Sequence, residues 1–236
     1  MILKTKEEKR SGRRFVIPDI HGFPKTLQSL LNKLDLNTND FIFFLGDYID
    51  RGPSSAQVID IILDLQNKGF KVFCIKGNHE DDFLEHFEFE IKNKNFRTKS
   101  KIQAFDLIEN DEIIGRYEKF LNSLHDFIEL DDFFLVHAGF NFEIENPLKD
   151  RESMLRIRFM EPNTLGKTVI HGHNVTRLSI IQDKIRQSEN IIPLDNGLYY
   201  SVAFKNFQEN TEDIDVGNLV CLELNSMKLI RQESVD

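Results

Sequence analysis

Five short segments carry residues able to hold metal ions or move protons. They are Asp19-Ile20-His21-Gly22, Gly46-Asp47-Tyr48-Ile49-Asp50-Arg51-Gly52, Gly77-Asn78-His79-Glu80, His137-Ala138-Gly139 and His171-Gly172-His173. Each sets oxygen or imidazole ligands beside a glycine, which lets the backbone turn sharply and leaves room near the ligands. The set mixes carboxylates, one carboxamide and imidazoles. That chemistry suits borderline divalent or trivalent ions such as Mn, Fe or Zn better than calcium, which prefers oxygen alone. Asp47 is central to the set and could bridge two ions, and a pair of ions roughly 3.5 to 4 Å apart is the usual device for displacement at phosphorus. Arg51, next to Asp50, presents a planar fork suited to phosphate oxygens. His79, beside the ligand-type Asn78, could act as a proton donor.

Each segment follows a short apolar run. Residues 14–17, 41–45, 71–75, 133–136 and 168–170 read as buried strands, being short, rich in apolar residues and bounded by Gly, Pro or polar turns. Between the first three lie helical patterns. Leu27, Leu30, Leu31 and Leu34 follow the i, i+3, i+4, i+7 rule behind Pro24. Val58, Ile59, Ile62 and Leu65 do the same, with Ser54 or Ser55 as N-cap and Gly69 past the end. Alternation of strand and helix predicts a βαβαβ unit with parallel pairing, so the fold class is α/β. Residues 81–122 are expected to be mainly helical, and 198–204 and 219–224 to be further strands. Polar residues cluster where each strand ends, which is where open α/β sheets bind ligands.

Composition narrows the function classes. The chain has 236 residues, a net charge of -9 and 40% hydrophobic residues, which is ordinary for a globular protein able to bury a core. An acidic balance argues against a broad nucleic-acid or anionic-membrane surface. Cys74 and Cys221 are the only cysteines, so a disulfide framework is excluded and a reducing, cytoplasmic setting is expected. The longest stretch free of Asp, Glu, Lys and Arg runs over 133–142, too short for a spanning helix of roughly 17 to 25 residues. With no repeat and no Pro/Gly/Ser-rich linker, one domain over 1–236 is expected. It would have a charged, solvated lead-in over about 1–13 and a helical insertion over about 81–125.

The ordered series Asp-x-His, Gly-Asp-x-x-Asp-Arg-Gly and Gly-Asn-His-Glu, about 30 residues apart, resembles the phosphoprotein phosphatase family of the metallophosphoesterases, and in particular its compact bacterial and phage-type members. The later His-Ala-Gly and Gly-His segments strengthen the likeness, which runs from about Phe15 to Leu224. The resemblance implies a two-sheet β-sandwich core flanked by helices, with the βαβαβ motif at the metal site. It implies that Asp19 and His21 bind the first metal, that Asp47 bridges, and that Asn78, His137 and His173 complete the second site. His79 matches the general acid, Asp50 the carboxylate that orients it, and Arg51 one phosphate-binding arginine. The second such arginine falls in Leu155-Arg156-Ile157-Arg158-Phe159, with Arg158 the choice and Arg156 the alternative. The implied reaction is direct hydrolysis by water activated between two metals, Mn first, without a covalent enzyme intermediate.

The chain departs from the family pattern at three places. Pro18 stands where Gly is common, which stiffens the loop without removing a ligand. Asn196, in Leu194-Asp195-Asn196-Gly197, replaces a common Thr. His171 precedes Gly172-His173, leaving two candidates for the last ligand. The Gly-His match selects His173, and His171 is then expected to orient a ligand through a hydrogen bond. His86 and His125 are read as structural, and the 21 phenylalanines as core. The run 92–101 holds Lys92, Lys94, Arg97, Lys99 and Lys101 without an acid, and reads as a solvated loop or an arm for further phosphates. Expected partners are a phosphorylated protein, through a serine/threonine phosphatase activity, or alternatively a small phosphoester such as a dinucleoside polyphosphate. Neither a nucleic acid nor a membrane is expected.

Overall fold

The computed structural model describes residues 2–4, 12–91, 103–160, 162–201 and 215–236. The basic run 92–101 and the acidic Glu209, Glu212 and Asp213 lie outside them.

Strands β2 (Arg14–Ile17), β3 (Phe41–Phe44) and β4 (Lys71–Cys74) are parallel neighbours joined by helices α1 (Pro24–Leu34) and α2 (Ser55–Asn67), the expected βαβαβ unit. Their runs do not alternate because both faces are buried. Phe15, Ile17, Ile42 and Phe44 pack on the side of α1 and α2, while Val16 and Phe43 face the other way. The leucine stripe of α1 is buried, and Pro24 opens that helix. Its free N–H groups are closed from the far end of the chain, where Asp236 accepts from Lys25 N at 3.1 Å and Thr26 N at 2.8 Å. In α2, Ser54 Oγ accepts from Gln57 N at 3.2 Å.

A second sheet faces the first. It contains β1 (Ile2–Lys4), β7 (Phe127–Glu129), β8 (Phe133–Val136), β9 (Thr168–His171) and β10 (Ile191–Pro193), in that order. Ile128, Leu135, Ile170 and Ile192 meet Val16 and Phe43 in one core between the sheets. The first sheet is completed by β11 (Asn218–Glu223), antiparallel to β2, and β12 (Lys228–Glu233). The result is an α/β sandwich of two sheets flanked by helices, the architecture that the resemblance implies.

Three expectations need correction. The lead-in is not wholly solvated: residues 2–4 pair in parallel with β7, supplying backbone partners to that sheet edge, and Arg13 binds Asp40. The stretch 81–125 holds α3 (Asn78–Ile91) and α4 (Gly115–Ser123), but between them a hairpin joins β5 (Ile108–Glu109) to β6 (Glu112–Ile113). Its turn residues Asn110 and Asp111 have φ of 50° and 60°, the left-handed pair a two-residue hairpin requires. Leu198–Ser201 is not a strand. Gly197, at φ +67°, starts a turn in which Tyr200 N and Ser201 N reach back three residues to the Gly197 and Leu198 carbonyls.

Candidate metal centre

The five motif segments converge beyond the carboxyl ends of β2, β3, β4, β8 and β9. Their backbone is held in an uncommon conformation. Among the described residues, five of the ten non-glycine residues with positive φ are His21, Asp47, Asp50, Arg51 and His173. Each such residue stores roughly 1–3 kcal/mol of strain, which persists only where surrounding structure over-determines it. Here Glu80 does much of that. Its buried carboxylate accepts from Asp47 N at 2.9 Å, Gly77 N at 3.0 Å and Tyr48 N at 2.8 Å, tying the second motif to the third. Ile20 N and His21 N both donate to the Asp47 carbonyl, tying the first motif to the second. Gly77 must lack a side chain, since a Cβ there would stand 2.1 Å from Asp47 Oδ1.

Two donor clusters share Asp47. One is His21, Asp47 and His79, and the other is Asp47, His137 and His173, with donor atoms within 4.8 Å of one another in each. His137 Nε2 lies 3.5 Å from Asp47 Oδ1 and 3.0 Å from Asn78 Oδ1. His21 Nε2 lies 3.7 Å from Asp47 Oδ2. Asp19 stands slightly apart: its carboxylate accepts from His173 N at 3.0 and 3.1 Å, packed against Gly172.

The imidazoles divide by tautomer and charge. The Nδ1 of His21 faces the Ile49 carbonyl at 3.2 Å and that of His137 faces the Leu45 carbonyl at 2.8 Å. A nitrogen facing a carbonyl carries the hydrogen, so each Nε2 turns a lone pair toward Asp47. Burial lowers the pKa of His137, and carries those of His21 and His173 down to about 3, so all three are neutral, as metal ligands must be. His173 Nε2 is buried without a hydrogen-bond partner, an orphan that a metal would satisfy. His79 differs. Its Nδ1 lies 2.9 Å from Asp50 Oδ2, and although burial lowers its pKa, Asp47 and Asp50 outweigh that and raise it. Its protonated form is thus favoured over that of an ordinary histidine, with Asp50 holding the ring at Nδ1, which suits it to giving up a proton. Asp47 itself is held below the ordinary carboxylate range: burial works to raise it, but the His79 side chain and the His79 N–H, which donates to Asp47 Oδ1 at 3.0 Å, work against that. The donor set fits two divalent ions.

Arg51 and Arg158 both line the 370 Å³ cavity over these clusters. Arg156 instead points at Asp81, Asp82 and Glu152. His171 is buried, but its Nδ1 faces the Gly172 carbonyl at 2.9 Å and not a ligand side chain, so the expected orienting bond is corrected. His86 bonds within α3 to the Asp82 carbonyl, and the His125 backbone pairs with Ile75 beside β4.

The calcineurin-like phosphoesterase profile matches residues 12–210. The chain belongs to this family. Among its relatives, the symmetrical bis(5'-nucleosyl)-tetraphosphatase of Erwinia tasmaniensis is 31% identical over 131 residues, covering 53% of this chain and 43% of that one. The counterpart in Wigglesworthia glossinidia brevipalpis is 38% identical over 71 residues, 30% of this chain and 25% of that one. Serine/threonine-protein phosphatase 2 of Escherichia coli is 41% identical over 75 residues, 31% of this chain and 32% of that one. The matched stretches thus span less than half of each relative. A crystal structure of a provisionally assigned diadenosine tetraphosphatase superposes with TM-score 0.64 at 18% identity, over 98% of this chain and 96% of that one. A serine/threonine phosphatase from Saccharomyces cerevisiae gives 0.59 at 15% identity, over 100% and 84%. Both support the family fold.

Residues to which the sequence motifs assign no role also shape the centre. Glu80 was within reach as a buried acid at the third position of a helix, where it can bond back to the helix start. Asp195 lines the cavity and accepts from Gly197 N at 2.7 Å, and burial pushes its carboxyl up to about 7. Tyr199 lies under the Arg51 guanidinium, 4.0 Å from ring centroid to Cζ, and meets His21 edge-on at 5.3 Å. The Tyr199 contacts have no local sequence signal, because they depend on the turn at Gly197.

Proposed function

We propose that this chain hydrolyses phosphoric esters or anhydrides at a centre of two divalent or trivalent ions, Mn first with Fe or Zn as alternatives, and that its substrate is a dinucleoside polyphosphate. The observation that carries the reaction class is the pair of donor clusters sharing Asp47, with Asp47, His79 and two arginines lining one cavity. In this reading Asp19 and His21 hold one ion, Asn78, His137 and His173 the other, and Asp47 both. Bound ions of this kind polarise phosphoryl oxygens and make a bound water acidic. Arg51 and Arg158 hold the phosphoryl group in line and offset the charge that develops on it. His79, oriented by Asp50, gives the proton that the leaving oxygen needs as its bond to phosphorus breaks.

The substrate reading rests on relatives named as bis(5'-nucleosyl)-tetraphosphatases. A serine/threonine protein phosphatase is the second reading, favoured by the E. coli phosphatase match. One assay separates them: kcat/KM of the Mn²⁺-loaded protein on diadenosine tetraphosphate and on a phosphothreonine peptide. A strong preference for the dinucleotide supports the first reading. A strong preference for the peptide replaces it with the second.

A further inference from the structure

The cavity has two unlike halves. Asp47, Asn78 and His79, buried or half-buried, line it together with the exposed Arg51 and Arg158, while Phe159 and Val175 add apolar surface from exposed positions. Phe159, which follows Arg158, is 90% exposed, the largest value among the exposed bulky apolar residues described. Val175, which follows Asn174, is also exposed and lines the same cavity. The two segments are tied together: Arg158 Nη1 donates to Asn174 Oδ1 at 3.4 Å, and Asn174 Nδ2 donates to the Arg158 carbonyl at 3.3 Å. Tyr200 closes the rim. Gly197 lets it do so, since a Cβ there would stand 2.7 Å from Val175 Cγ1 and 2.8 Å from Tyr200 Cδ2. Tyr200 in turn packs on Tyr199, ring centroids 4.2 Å apart and 32° from parallel, and Tyr199 carries Arg51.

Apolar residues gathered at the edge of a polar cavity, unlike ones scattered singly, mark a ligand-binding surface. We infer that Phe159, Val175 and Tyr200 form a subsite for the base of a nucleotide whose phosphate sits between Arg51 and Arg158. The inference rests on the reading of the cavity as a phosphoester site, and it names the side chains that would select a nucleotide there. A phosphoserine or phosphothreonine side chain offers no flat ring to such a rim. A phosphotyrosine ring is bonded directly to the phosphoryl oxygen, and so stays near the floor. A nucleotide places its sugar between phosphate and base, which carries the flat ring out to the mouth where Phe159 lies. Stacking of a base on an aromatic side chain is sequence-tolerant and contributes at the level of a severalfold to hundredfold change in affinity.

The test is calorimetry on the Mn²⁺-loaded chain with AMP and ribose 5-phosphate as probes, which share the phosphate and differ by the base. AMP is expected to bind tighter, on the order of tenfold. Phe159→Ala should collapse that gap by weakening AMP alone, and Phe159→Tyr should restore it. Surface substitution at Phe159 leaves the core untouched, so a folding defect does not intervene. Equal binding of the two probes by the unaltered protein overturns the subsite, as does a gap that survives both Phe159→Ala and Tyr200→Ala. Phosphotyrosine gaining as much from Phe159 as AMP does overturns the nucleobase assignment. Failure of all three probes to bind overturns the phosphoester reading and the subsite with it.

Discussion

Asp40 and Asp47 flank the same strand, β3, and both are buried, at 1% and 2% exposure. At the amino end the protein closes the charge itself. Arg13 reaches Asp40 Oδ2 at 2.7 Å, and the N–H groups of Arg13 and Asn37 donate to the same carboxylate at 3.0 and 2.9 Å. At the carboxyl end Asp47 lies near Asp19 and Asp195, and among the described residues no Lys or Arg forms an ion pair with any of the three. Their neighbours are imidazoles, of which burial keeps three neutral. Two carboxylates on one strand are thus solved in two ways. One is a structural pair, and the other leaves charge for a cation from outside the chain.

The sharpest way to break this comparison is Asp47→Asn. Removing the shared ligand should abolish ion binding at both clusters and turnover with it, a larger loss than the roughly 10²- to 10⁴-fold that a general acid contributes. Metal analysis beside an activity assay checks it, and full occupancy with normal turnover refutes the bridging role. Next in size is His79→Asn. For an alkyl phosphate its kcat should fall by about 10²- to 10⁴-fold with little change in KM, and for an aryl phosphate with a good leaving group the loss should be far smaller. Equal losses on both substrates remove His79 from the acid role.

The carboxyl end was legible in the sequence and the rim was not, for a physical reason. Residues proposed to hold metal at strand ends lie beside tight turns, so His21, Asp47 and Asn78 each adjoin a glycine, and Asp19 and His79 stand at fixed spacing from them. The buried runs of β2 and β3 likewise show as continuous apolar stretches. Phe159 and Val175 are exposed and Tyr200 is half-buried, on three separate segments, and the turn at Gly197 and the Asn174–Arg158 bonds bring them to one cavity. The hairpin at Asn110 and Asp111 was hidden because its strands are two residues each, too short for an alternating pattern. Arg13 shows no pattern with Asp40 either, 27 residues away.

Smaller effects test the amino end. Asp40→Asn should destabilise the protein by about 1–3 kcal/mol at pH 7, trimmed by solvent around the half-exposed Arg13 side chain. Burial raises the Asp40 pKa, but Arg13 and the Asn37 and Arg13 N–H groups outweigh it and hold the pKa below the ordinary value. A depressed acid contributes its stability above the unfolded pKa, about 3.9, and loses it as pH falls through the folded value. Denaturant unfolding at pH 7 and near pH 3 should therefore show the gap between the two proteins closing in acid. A gap independent of pH would assign the loss to packing instead.

The smallest expected effect has the opposite sign and sharpens the contrast most. Burial first, then Asp195 and Asp47, raise the Asp19 pKa. A raised acid pKa means that the charged form works against folding, so the metal-free protein should gain stability as pH falls through that value toward the unfolded one. Asp19→Asn removes the charge and keeps one oxygen able to accept from His173 N. In chelator at pH 7 it should therefore leave stability unchanged or raise it by about 1 kcal/mol, as neutral replacement of a buried charge often does. Adding Mn²⁺ should reverse the order, because the unaltered protein alone gains the full free energy of binding a ligand to its folded state. Thermal unfolding of both proteins with chelator and with Mn²⁺ reads this directly. A loss in chelator as large as that of Asp40→Asn would mean that Asp19 is a structural carboxylate like Asp40, and that its place at the centre is packing rather than charge held for a cation.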